Sequence, residues 1–436
     1  MGFKKTEIGP IPVDWEIAPL QEAAAFTRKP RGLNLSDYEA IPFIPMELVP
    51  DSGTLIEQYE LRAGSRIRSG TYCEKGDILL AKITPSFENG KQGIVSDLPL
   101  DFAYATTEVY PIQAKPDRLD QIFLFHFLRL SNVRADITGK MEGSTGRQRI
   151  PKAVIENYPI PLPPLPEQRR IAHVLSTIQR AVAAQDDLIA AAREVKRSLM
   201  QRLFTYGPGP EPAPTKETEI GEIPEHWEVV RLGDHITEGP QNGLYKPLSL
   251  YGEGTPIIRI NDYGTDGRFT SLAFRRVRID PAEVERYLLK ENDILVNRVN
   301  SLPQLGKSIL VPALLEPTVF ESNMMRFAVD GIRLLPHYAI LFLCSPQAHT
   351  QMVGKAKRAV AQSSINQGDV KSLLVPLPPA SEQTTIVRMA AASNSKIEAE
   401  QQRKAAFQAL FKAMLHQLMT GQIRMNAEMD FHHTPS

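Results

Sequence analysis

Pro161-Leu162-Pro163-Pro164-Leu165-Pro166-Glu167-Gln168 leads into a run with no Pro or Gly as far as Thr205, and Pro376-Leu377-Pro378-Pro379-Ala380-Ser381-Glu382-Gln383 leads into another as far as Thr420. Each stretch reads as a strand that exits through prolines and opens a long helix. Pro166 suits a first helical turn, where a missing N–H costs nothing. Ser381, at the matching place, is a good N-cap. In the first helix Ile171, Val174, Ile178, Ala181, Gln185, Leu188, Ala192, Val195 and Leu199 follow a 3-4 spacing, which predicts an a/d seam. The second helix is apolar at its ends (Ile386, Met389, then Phe407, Leu410, Met414, Leu418) and polar in its middle (Ser393, Lys396, Glu400, Arg403). About 39 residues at 1.5 Å each make a rod of roughly 58 Å.

Outward from these junctions the chain is written twice. The only tryptophans are Trp15 and Trp227, an offset of 227 − 15 = 212. Glu7-Ile8-Gly9-x-Ile11-Pro12-x-x-Trp15-Glu16 matches Glu219-Ile220-Gly221-x-Ile223-Pro224-x-x-Trp227-Glu228. Asp77-Ile78-Leu79 answers Asp293-Ile294-Leu295, Gly90-Lys91 answers Gly306-Lys307, and Gly139-Lys140 answers Gly354-Lys355. Ordered matches with so little drift indicate a tandem duplication. Each repeat is a mixed globule of about 150 residues followed by a helix. The expected layout is a globule over 1–164, a helix over 165–206, a Pro-rich linker over 207–218, a second globule over 219–379, a helix over 380–424 and a polar tail over 425–436. The fold class is α+β, with two mixed α/β globules joined by two long helices. The helices most simply form an antiparallel coiled coil; the alternative packs each helix on its own globule.

Composition limits the function classes. The 436 residues carry zero formal net charge, and 42% are hydrophobic, enough for real cores. Zero net charge does not exclude nucleic acid, because a binding face is local. Cys73 and Cys344 form neither a disulfide framework nor a zinc pattern, so a cytoplasmic location is expected. No apolar run is long enough to span a bilayer, and the first residues lack the apolar core of a signal peptide. Gly306-Lys307-Ser308 resembles the end of a phosphate loop, but Ser301 stands where the first glycine is needed. Other cofactor, nucleophile-elbow and metalloprotease motifs are missing, and His432-His433 sits in the polar tail.

A basic, polar loop precedes the closing strand of each repeat. The first runs from Gly139 to Lys152 and contains Lys140, Arg147, Gln148, Arg149 and Lys152. The second runs from Gly354 to Gln367 and contains Lys355, Lys357, Arg358, Gln362, Ser363 and Asn366. Each carries about +3 in a globule of roughly −2 or −1. Such local charge suits phosphates, which set register. Arg can grip guanine, and Gln or Asn adenine, in the major groove. A second pair of loops leaves an equivalent strand in each repeat with a cation at either end, Lys82 and Lys91 in one, Arg298 and Lys307 in the other.

These landmarks together resemble the specificity subunits of type I restriction-modification systems. The likeness rests on the Ile-Pro-x-x-Trp-Glu openings, the Pro-Leu-Pro-Pro-x-x-Glu-Gln-x-x-Ile junctions and the following long helices, and it spans nearly the whole chain. It implies two target recognition domains, each reading one half of a bipartite, asymmetric DNA site, held apart by paired helices. It also implies a non-catalytic chain that docks two modification subunits and, with them, restriction subunits. S-adenosylmethionine, ATP and magnesium would be used by those partners, with no cofactor in this chain. Pro-Ala-Ser-Glu-Gln at the second junction departs from Pro-Leu-Pro-Glu-Gln at the first, and the second helix has its polar middle. Competing readings are a recognition part of a standalone DNA methyltransferase and a coiled-coil scaffold.

Overall fold

The computed structural model describes residues 2–51, 54–144, 146–358 and 362–425; His432 and His433 lie outside them. The chain divides into two compact units, Met1–Ile189 with Ala399–Ser436, and Ala190–Glu398. Both boundaries fall inside the long helices, Leu165–Tyr206 and Ala380–Met419. Each unit therefore contains one globule, part of its own helix and part of the other.

The duplicated landmarks are the joints of each unit. In the first, Glu16–Pro19 pairs antiparallel with Pro159–Leu162; in the second, Glu228–Arg231 pairs with Leu374–Leu377. The opening and the proline-rich exit thus lie side by side. A hairpin precedes each, turning at Gly9 (φ +105°) or Gly221 (φ +99°), left-handed conformations that favour glycine. Trp15 and Trp227 are buried and need a partner for the indole N–H. Trp15 donates to Glu167 Oε2 at 3.3 Å and Trp227 to Glu382 Oε2 at 2.9 Å.

The glutamine beside each glutamate ties the strand exit to the globule. Gln168 donates to the Pro163 and Arg118 carbonyls and accepts from Asp120 N. Gln383 donates to the Pro378 and Arg333 carbonyls and accepts from Leu335 N. Both side chains are buried, so every bond replaces lost hydration.

The first globule holds a five-stranded sheet in the order Ala24–Phe26, Val109–Ala114, Ile78–Ala81, Gln92–Val95, Leu55–Ile56. A four-stranded sheet accompanies it. The second globule repeats the main sheet with four strands, Ile236–Asn242, Met324–Val329, Ile294–Asn297 and Ser308–Leu310. The register matches: Ile78 pairs with Ile112, and Ile294 with Phe327.

The helices run antiparallel in each unit. In the first, Ile171 and Leu175 share a core with Leu415, Leu418 and Met419, while Asp186 meets Lys404 and Gln185 meets Glu400. In the second, Leu203 and Phe204 share a core with Ile386. The alternative of each helix packing only on its own globule is excluded within each unit. The seam, however, differs by one residue from the predicted spacing. Ile171, Ile178 and Gln185 do face inward, but the intervening buried positions are Leu175 and Ile189, while Leu188 and Val195 are 52% and 65% exposed. The second helix shows the same shift, with Ile397 buried and Leu410 exposed, so its middle is less polar inside than the predicted stripe. Two adjacent apolar stripes fit the sequence equally well; the partner helix selects the one that buries Leu175, Ile189 and Ile397. Among the described residues no helix is long and apolar enough to cross a membrane.

Candidate nucleic-acid interface

The two loop pairs, separate in sequence, form one ribbon in each unit. In the first, Glu142–Ser144 pairs with Arg147–Arg149 as an antiparallel hairpin. Arg149 also bridges to Ile83, and Thr84 N donates to Gln148 O at 3.0 Å. In the second, Ser363–Ser364 lies between Lys357–Arg358 and Val299–Asn300, and Ile365 N donates to Arg298 O at 3.0 Å. Backbone bonds thus seat each basic loop on the loop leaving the central strand. Sequence spacing did not reveal this pairing, because cross-strand partners some 60 residues apart leave no periodic signal.

The cations divide by what they touch. In the first unit, Arg147 projects exposed from the ribbon and Gln148 is half-buried. Arg149 grips Glu108 with Nε at 3.0 Å and Nη2 at 2.8 Å, holding that carboxyl below its usual range. Lys140 pairs with Asp136 and Lys152 with Glu156, each at 2.7 Å on the surface. Lys82 lies 4.7 Å from the Tyr110 ring centroid, and burial lowers its affinity for a proton. Lys91 donates inward to the Met46 and Val49 carbonyls at 3.0 and 2.8 Å.

In the second unit Lys357 and Gln362 are exposed, and Lys355 closes the helix Pro346–Lys355. The Arg358 side chain lies outside the described part. Ser363 is buried, and Asn366 caps the helix Gln367–Lys371, accepting from Asp369 N at 3.0 Å. Arg298 turns toward the Ser322 carbonyl, and Lys307 donates to the Ile260 carbonyl beneath the Tyr263 ring. Lys91, Arg298, Lys307, Ser363 and Asn366 therefore hold the ribbon's surroundings together, whereas the exposed Arg147, Lys357 and Gln362 and the half-buried Gln148 have no side-chain hydrogen bond or ion pair among the described residues. Arg28 and Lys29, exposed beside Lys82 along one cleft, were missed by the sequence reading, having no counterpart that the repeat would flag.

Comparison with known proteins agrees with this duplicated layout. The family described as "Type I restriction modification DNA specificity domain" matches residues 12–191 and again 224–408. The putative type I restriction enzyme MjaX specificity subunit of Methanocaldococcus jannaschii is 26% identical over 445 residues, covering 97% of this chain and 97% of that protein. The type I restriction enzyme MjaVIII specificity subunit of the same organism is 25% identical over 439 residues, covering 97% and 96%. A solved structure described as the basis of complex assembly and conformational transition of the type I R-M system aligns with a TM-score of 0.61 at 20% identity, covering 95% of this chain and 99% of that one. That last likeness is one of fold.

Proposed function

The chain belongs to the family of type I restriction-modification DNA specificity proteins, and from that premise we propose that its two ribbons are the surfaces that read DNA. The chain is a specificity subunit, and its two copies of the specificity domain serve a bipartite target. The observation that carries the ribbon assignment is the recurrence of one exposed basic ribbon on the same seat in both units, with different side chains in each. Arg147 and Gln148 in one, and Lys357 and Gln362 in the other, are suited to base edges. Lys140, Lys152 and Lys355 are suited to phosphates, and Arg149 exchanges Glu108 for phosphate when DNA arrives. Dissimilar ribbons read dissimilar half-sites.

The subunit itself catalyses nothing in this reading. It docks two modification subunits and, with them, restriction subunits, which bring S-adenosylmethionine, ATP and magnesium. It works in the cytoplasm, where its DNA lies. The long helices act as the spacer. One heptad added to both lengthens the rod by about 10.5 Å, or roughly three base pairs at 3.4 Å each.

The test is modified-base sequencing of DNA from cells carrying this chain, native or lengthened, with a modification partner. The expected result is a methylated bipartite site whose gap grows while its halves stay constant. An unchanged gap refutes the spacer. Unchanged half-sites after Arg147→Ala with Gln148→Ala refute the ribbon.

A further inference from the structure

The first unit contains an open cleft of about 440 Å³ beside the ribbon, and its lining is unusual. Phe26, Tyr72, Tyr104 and Tyr110 supply aromatic surface. Arg28, Lys29, Lys82 and Lys152 supply positive charge, Lys152 being paired with Glu156 of the adjoining hollow, and among the described residues lining the cleft there is no carboxylate. A neighbouring hollow of about 420 Å³ shares Phe26, Arg28 and Lys152, so those three stand on the ridge between them.

Two rings and two lysines form a matched arrangement. Phe26 and Tyr110 meet edge-to-face at 5.1 Å. Lys152 sits 4.5 Å from the Phe26 centroid and Lys82 4.7 Å from that of Tyr110. Lys82 is half-buried and makes no hydrogen bond to any described residue, while burial lowers its affinity for a proton. The carboxylate whose field reaches Lys82 is Glu108, which is already gripped by Arg149, so a partly desolvated ammonium without a hydrogen-bonded acceptor gains from an anion entering the cleft. The second unit does not repeat the pair: strand register puts Met325 where Tyr110 stands, and Gln367 follows at the place of Lys152.

We propose that this cleft binds one unpaired nucleotide of DNA, its base against the Phe26–Tyr110 rings and its phosphate on Lys82 with Arg28. Every base has a stacking face, so this contact is tolerant of sequence, unlike the ribbon's. Its size admits a nucleotide. Its position at the foot of the ribbon, where Ile150 N bonds the Lys82 carbonyl at 2.9 Å, places it within reach of a strand held by Arg147. The inference deepens the DNA-reading assignment by adding a second, extrahelical ligand on one unit only.

Acetylation footprinting of the full chain by mass spectrometry tests it, with single-stranded pentathymidylate as probe. Bound probe should slow acetylation of Lys82 and Lys152. Loss of one base–aromatic stack should weaken that protection by roughly 5- to 100-fold in Tyr110→Leu. Phe26→Leu is the second variant, in case the lost hydrogen bond from Tyr110 Oη to the Ile150 carbonyl disturbs the fold. Inorganic phosphate at equal phosphate concentration should protect little. Equal protection by phosphate, or full protection in both ring variants, overturns the nucleotide site. The Arg147→Ala chain separates this inference from the ribbon. If the cleft assignment holds, it keeps the pentathymidylate footprint while losing duplex affinity. A native chain with duplex affinity but no footprint refutes the cleft alone.

Discussion

The two joints are nearly identical and the two ribbons are not. At both joints a buried tryptophan meets a glutamate and a buried glutamine ties three backbone groups. At the ribbons the same backbone seat carries Arg147-Gln148-Arg149 in one unit and a middle strand of Ser363-Ser364 in the other. The contrast separates two kinds of constraint. A buried polar group must find its partners, so the joint tolerates few residue types. The exposed side chains of a ribbon, such as Arg147 and Lys357, are limited only by its backbone register, so they are free to take on a target. The comparison has one imperfection. Glu167 is also gripped by Arg424, which reaches Asp14 as well, whereas among the described residues the Glu382 carboxylate bonds Trp227 and the exposed His226 alone.

The largest expected effect tests that imperfection. Glu167 is 4% and Arg424 12% exposed, so Arg424→Met strands a buried carboxylate. Breaking such a pair costs about 3–5 kcal/mol. His226→Ala removes a partner that is 46% exposed, and exposed pairs contribute only about 0–1 kcal/mol. Urea unfolding should show the difference; equal losses would mean that the joints are energetically alike despite Arg424.

Gln168→Ala and Gln383→Ala come next. Each deletes three hydrogen bonds at a buried site. Leaving buried partners unsatisfied should cost on the order of 3 kcal/mol in either unit. Near-equal losses sharpen the claim that the joints were duplicated for one physical task. A neutral result in one breaks it.

Effects at the ribbons should be smaller and should fall on DNA binding rather than stability. Arg147→Ala is expected to weaken specific binding by about 1–3 kcal/mol and to relax one half-site. Gln362→Ala should do so at the other. Competition binding with oligonucleotides varied at single positions reads this; relaxation of both half-sites by either variant would contradict separate reading heads.

The joints were legible in the sequence because their chemistry demands the same residues at the same order. Trp15, Glu167 and Gln168 stand out beside Trp227, Glu382 and Gln383 without coordinates. The ribbons were legible only as charge. Nothing in the spacing says that Lys91 turns inward to Met46 and Val49 while Arg147 stays exposed. Nor does it say that Asn366 is spent as a helix cap. Side-chain direction depends on which strands become neighbours, and that information is non-local.

The helix seam is the case where local pattern was sufficient to find the element but not its face. Ile171, Ile178 and Gln185 recur every seven residues and face inward with either companion stripe. Between them Val174, Ala181 and Leu188 alternate with Leu175, Val182 and Ile189, and both sets are apolar. The structure buries Leu175 and Ile189 of the second set, leaves Val182 half-buried like Val174 and Ala181, and leaves Leu188 52% exposed against 6% for Ile189. Ile189→Ala should therefore cost about 2–5 kcal/mol, as core truncations do. Leu188→Ala should stay within about 0.5 kcal/mol in the isolated chain. The pair of thermal melts is a strict test because the residues are adjacent, similar in size and in the same helix. A larger loss at Leu188 would return the seam to the simple 3-4 spacing and rotate the helix in its groove. If the small effect holds, Leu188 stays as an apolar side chain that the first unit does not use for its own folding, and a loss of complex assembly in Leu188→Ser would then be read as a partner contact.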